Sequence, residues 1–207
     1  MQSEASTLPV VRGCDGCTLC CKVMGVHALA KPKGVWCKHC RIGVGCGIYA
    51  DRPEECVTFN CGYLVLPHLT PEWKPAVSHL IISSGVSRDR LSIHVDPARP
   101  DAWRKQPYYA TIKQWASAAL GKRQQVVVMI GNRSIVILPD RDVDFGVIAP
   151  DEMIVMGETP ALEGPAYEPF VVKRDSGLGK DVDAAQGAPV AVRAGEGEGL
   201  RRGRVLA

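Results

Sequence analysis

Past Cys61 the chain has no cysteine, although nine of its 207 residues are cysteines and the first is Cys14. No stretch reaches the roughly 18 consecutive apolar residues that a membrane-spanning helix needs. The start, MQSEASTLPVVRGC, has no basic segment followed by an apolar run, so a secretory leader is not expected. Also missing are GxxxxGK[ST], GxGxxG after a strand, HExxH and GxSxG, and with them the common phosphate, dinucleotide, zincin and hydrolase templates. The Cys-x3-Cys-x2-Cys run of radical SAM enzymes is absent too. A net charge of +3 argues against a dedicated nucleic-acid binder. What remains is the expectation of a soluble, cytoplasmic protein with no membrane contact.

Sulfur is what the chain does have, all of it between Cys14 and Cys61. Cytoplasmic thiols stay reduced, and an odd cysteine count does not suit a disulfide framework, which leaves metal or redox chemistry. In CDGCTLCC, Cys14 with Cys17 and Cys17 with Cys20 are chelating pairs, because a Cys-x-x-Cys turn brings two thiolates to one metal. Three cysteines at this spacing also wrap one face of an iron–sulfur cube, as in bacterial ferredoxins. Here the ferredoxin pattern breaks: Cys21 follows at once, and no cysteine-proline closes the run. Adjacent side chains point apart, so Cys20 and Cys21 are expected to serve different centres or opposite sides of one polynuclear cluster.

The other cysteines lie in WCKHCRIGVGCGIYADRPEECVTFNC. Gly43, Gly45 and Gly47 around Cys46 are expected to let backbone amides reach sulfur. Asp51 is read as a helix cap, with Pro53, Glu54 and Glu55 in the first turn, Cys56 inside the helix and Cys61 just beyond it, both facing one site. From Arg12 to Cys61 seven basic residues face four acids, an excess that would offset the charge of metal-bound thiolates. The successive x2 spacings favour iron–sulfur over zinc.

These motifs resemble the YkgJ-type, or CxxCxxCC, family of zinc- or iron-chelating cysteine-cluster proteins. The positions that match are Cys14, Cys17, Cys20, Cys21, Cys37, Cys46, Cys56 and Cys61, with the pairs Ile48-Tyr49 and Arg52-Pro53. The resemblance covers residues 12–66 and implies that these eight cysteines are metal ligands. The family includes flagellin lysine methylase-like proteins associated with an iron–sulfur centre. Cys40 departs from the pattern and is either a spare thiol or an additional ligand. Arg52 and Tyr49 are candidates to lie beside the site, Arg52 as a donor to sulfur or an ion-pair residue and Tyr49 as a packing residue.

Three functional readings stay open. The leading one is a metal-binding protein holding an iron–sulfur cluster or zinc, with a protein-partner surface on the rest of the chain. Another is a redox or methyl-transfer enzyme, or enzyme subunit, that acts on a protein. The third is a zinc-stapled RNA- or ribosome-associated module.

Three prolines in PHLTPEWKPA mark a connection to a second unit over residues 76–174. There RLSIHVD alternates as a half-buried strand, and PYYATIKQWASAALG repeats as a helix with Gly121 at its end. QVVVMIGNRSIVIL reads as a hairpin turning at Gly131, Asn132 and Arg133, and FGVIA and EMIVMG as further strands. The expected fold is α+β: a loop-rich cysteine module over residues 12–66, then a small antiparallel sheet with one covering helix. Residues 175–207, rich in glycine and alanine without an apolar stripe, are expected to form a disordered tail.

Overall fold

The computed structural model describes residues 12–84, 90–122, 124–159, 166–177, 180, 190–191 and 200–206, so the short lead over residues 1–11 lies outside it. In the cysteine-rich part the elements are brief: helix α1 (Cys20–Val23), strands β1 (Cys40–Arg41) and β2 (Gly45–Cys46), helix α2 (Glu54–Thr58) and helix α3 (Gly62–Val65). A 3-10 turn (Pro71–Trp73) and helix α4 (Pro75–Ser78) lead to strands β3 (Leu80–Ser84) and β4 (Arg90–Val95), then to helix α5 (Tyr108–Leu120). Strands β5 (Gln125–Ile130), β6 (Arg133–Ile137), β7 (Asp142–Val147), β8 (Glu152–Thr159) and β9 (Ala166–Lys173) follow, with short strands β10 (Val190–Ala191), β11 (Arg201–Arg202) and β12 (Arg204–Leu206).

The fold class is α+β, as expected, but there is more sheet than the sequence pattern suggests. Six strands run in the order β12-β7-β6-β5-β4-β3, and four in the order β10-β8-β9-β11. The larger sheet is antiparallel except at β4 and β5, which are parallel because α5 carries the chain back between them. The period of two in QVVVMI sorts the layers: Val126 and Val128 face α5, and Val127 faces the second sheet. On the helix side Ile112 and Ala116 pack with Ile93, Val95, Ile135 and Ile137. On the other side Val136, Val143 and Phe145 meet Ile154, Met156 and Val171. The aromatic stripe of α5 is packing, with Trp73 centred 4.9 Å from Tyr108 and 5.0 Å from Trp115.

Several local expectations change. Strand β4 is covered on both faces: Ser92 and His94 are buried too, and His94 Nε2 lies 2.9 Å from Ser83 Oγ. The FGVIA strand begins earlier, at Asp142, and carries a bulge where Ser134 opposes Gly146 and Ile135 opposes Asp144, with Gly146 at φ 63°. The proline-rich connection buries Leu69 and Trp73 in the main core. The tail expected to be disordered forms strands at its end, where β11 pairs with β9 and β12 with β7. Ladder bonds and ion pairs replace the missing apolar stripe: Arg201 meets Glu152 at 3.1 Å and Arg202 meets Glu168 at 3.4 Å. Gly203 lets the chain step from one sheet to the other, since a Cβ there would collide with the Val143 side chain and stand 3.0 Å from the Asp144 carbonyl oxygen.

The cysteine module joins the larger sheet at β3. Leu80 and Ile82 face the α5 core, while Ile81 packs against Leu19 and Val23. Helix α3 lies so close that a Cβ on Gly62 would stand 2.8 Å from Ile82 Cβ. Arg12 donates to the carbonyls of Tyr63 and Leu66, each at 2.9 Å, and to that of Leu69. Lys22 pairs with Asp96 at 2.6 Å. Among the described residues, no helix is long and apolar enough to cross a membrane.

Candidate metal centre

The first knuckle is a turn in which the Cys17 amide donates to the Cys14 carbonyl at 2.8 Å, with Asp15 and Gly16 at φ 42° and 75°. Gly16 has no room for a side chain, because a Cβ would stand 2.6 Å from the Gly43 carbonyl oxygen. Thr18 ties the same hairpin down by accepting from the Gly43 amide at 3.2 Å. Cys20 and Cys21 open α1, and the Cys21 carbonyl accepts from the Cys37 amide at 2.9 Å. Cys40 and Cys46 face each other across β1 and β2. Cys56 sits within α2, and Cys61 is the residue that precedes α3.

The eight cysteines of the pattern line two adjoining cavities. Cys14, Cys17, Cys20 and Cys61 line a narrow one of about 30 Å³, and Cys20, Cys21, Cys37, Cys46 and Cys56 line a wide one of about 170 Å³. Cys40 lines neither. Its thiol instead bonds with Cys21 and Thr18, and burial together with the neighbouring Cys21 pushes it up to about 11. All nine cysteines are free thiols. Among the described residues, no group of three or more His, Cys, Asp or Glu side chains is gathered tightly enough to hold a metal ion. The thiols stand around the cavities and do not converge on a point.

Their electrostatics follow from that crowding. The Cys21 thiol donates to Cys20, which raises Cys21 and holds Cys20 below the ordinary thiol range against its burial. Burial and the nearby Cys21, Cys37 and Cys46 raise Cys56. Burial also raises Cys61, with the Cys17 and Cys14 thiols adding to it and the amides of Tyr63 and Leu64 working against it. Thiols raised in this way hold their protons, so metal binding would release protons.

Lys31 is buried beneath the wide cavity, with its ammonium donating to the carbonyls of Lys22 and Pro32, each at 3.1 Å, and to that of Met24. Burial lowers its pKa, while Cys37, Cys21, Cys20 and Cys56 favour its charge. Two of the other basic residues have partners away from the thiols, Asp96 for Lys22 and backbone carbonyls for Arg12. Arg52 also lines the wide cavity and lies 3.8 Å from the Tyr49 ring centre. Tyr49, expected to pack inside, is 67% exposed, so it supports Arg52 at the rim.

Three further details depart from the sequence reading. The amides of Gly43 and Gly47 donate to oxygen, on Thr18 and His39, and not to sulfur. Pro53, not Asp51, precedes α2, and Glu55 reaches across to the amides of His27 and Ala28, each at 3.1 Å. Cys56 and Cys61 do not share a site, since they line different cavities. Sequence spacing did not reveal Lys31, whose importance comes from a fold that buries an ammonium below thiols distant in sequence. Comparison with family models, curated proteins and solved structures finds no match to this chain.

Proposed function

We propose that this protein binds metal through its cysteine module, holding an iron–sulfur cluster in preference to zinc, and that its sheet domain offers a surface to a protein partner. The observation that carries this reading is the placement of the eight expected cysteines around two adjoining cavities, with Cys40 left out of both. A single zinc ion needs four thiolates meeting at about 2.3 Å from one point. Thiols spread around a cavity of about 170 Å³ suit a polynuclear cluster better. Nine free thiols also fit a reducing, cytoplasmic compartment.

A bound cluster would supply one-electron transfer. The chain's own residues prepare its place. Lys31 holds a positive charge beneath the thiols, fixed by three carbonyls. Met24, Val26, Leu29, Ile48 and Phe59 form an apolar wall that limits water. Arg52 stands at the rim, where it can meet an anionic group of a partner. The test is anaerobic purification of the full chain with elemental analysis and absorbance spectroscopy. Iron with broad sulfur-to-iron charge-transfer absorption is the expected result, zinc alone would replace the cluster with a structural metal, and neither metal above a trace would end the reading.

A further inference from the structure

We infer that the module holds two separate metal centres, one on Cys14, Cys17, Cys20 and Cys61 and the other on Cys21, Cys37, Cys46 and Cys56, divided at the peptide bond between Cys20 and Cys21. This rests on the metal-binding reading above.

Cavity lining is the first observation. Cys14, Cys17 and Cys61 line only the narrow cavity, Cys21, Cys37, Cys46 and Cys56 only the wide one, and Cys20 alone touches both. Cys20 belongs with the narrow set because it packs with Cys17 and Cys61 against Leu19, Val23 and Ile81. Helix geometry is the second. Successive residues of an α-helix are turned by about 100°, so neighbours at the start of α1 can line two adjacent spaces that neither could line alone. Chain order is the third: Cys56 and Cys61 are close in sequence, yet α2 and α3 direct them to different cavities.

Counter-charge divides in the same way. Four thiolates leave a bound cluster with a net negative charge, and each set has its own ammonium. Lys74 lines the narrow cavity and acts on Cys14. Lys31 lines the wide one, near Cys21, Cys37 and Cys56 and the dividing Cys20. Each set also supplies four thiols, the number that holds an iron–sulfur cluster, and Cys40 is needed by neither.

The native full-length chain tests this without any substitution. Anaerobically purified protein is alkylated under native conditions, and the modified cysteines are mapped by mass spectrometry. Two centres protect both sets and leave Cys40 as the one thiol open to alkylation, slowly because its raised pKa keeps it protonated. Protection of one set alone overturns the division while leaving metal binding intact, and metal-free protein overturns both. Substitution supplies an independent readout. Cys61→Ser and Cys56→Ser should each remove one centre's share of the metal and keep the other, and the double variant should hold none. Complete loss of metal in either single variant, with the sheet domain still folded, would mean one shared centre and would overturn the proposal.

Discussion

Between Arg12 and Leu66 the buried apolar side chains are Leu19, Val23 and Val26, whereas the rest of the chain buries larger clusters that include Ile93, Trp103, Ile112, Val128 and Ile135 in one and Val155, Phe170 and Val172 in another. The sheet domain is held by apolar burial in layers on both faces of its larger sheet. The module relies on backbone bonds and side-chain clamps: Arg12 on four carbonyls, Lys31 on three more, Glu55 on two amides. A segment of that size with so small a core cannot offset its chain entropy by burial alone. Ligand bonds to sulfur are what would make up the difference.

Metal removal is the strongest way to break this contrast. Structural metal sites contribute on the order of 10 kcal/mol to small domains. Chelation should therefore abolish amide protection over residues 14–61 while the amides of β5 and β6 stay protected, as read by hydrogen exchange. Unchanged protection in the module would show that it stands without metal.

The opposite experiment acts on the sheet domain. Ile112 is fully buried between α5 and the larger sheet. Ile112→Ala should cost about 2–5 kcal/mol in a denaturant titration, with metal content per folded chain unchanged. A parallel fall in bound metal would show that the two regions fold as one unit.

Acid sharpens the contrast at a single group. Burial, with the charge of Lys33, holds the His94 imidazole down to about 4, against about 6.5 in an unfolded chain. As pH falls, the unfolded chain takes up this proton first. Stability should decline from about pH 6.5 to about 4 and then level off for this group, at about 1.4 kcal/mol per unit crossed. His94→Gln, which keeps a partner for Ser83, should flatten that part of the profile. An unchanged slope would place the sensitivity elsewhere.

The smallest expected effect is at Cys40. Cys40→Ser should leave metal content unchanged, because its thiol bonds with Cys21 and Thr18 and lines neither cavity. Loss of metal here, with retention in Cys46→Ser, would exchange the roles of these two residues.

The cysteine spacing and the compositional break after Cys61 were legible in the sequence, as were α5 and the β5–β6 hairpin, because each is a local pattern. Strand β3 was not, since LIISS is buried on both faces and shows no alternation. Strand β9 was obscured by Pro169, which is tolerated because β11 covers only Phe170 and Val171 on that flank. Arginines in β11 and β12 imitate a solvated tail, and only the sheet edges they pair with reveal them. At the site, spacing pointed to candidate ligands but not to how they group. Grouping depends on where α2 and α3 turn, and that is decided by contacts such as Glu55 to His27 and Gly62 against Ile82.

Strand β3 is the outermost strand of the six-stranded sheet, and α1 and α3 lie against it. Outer strands are templates for aggregation, and proteins cover them or charge them. Here the cover is the module itself. If the module holds metal as proposed, a chain without it would keep its sheet but uncover Ile81 and the open edge of β3, and the first visible sign of metal starvation would be clumping of otherwise folded molecules.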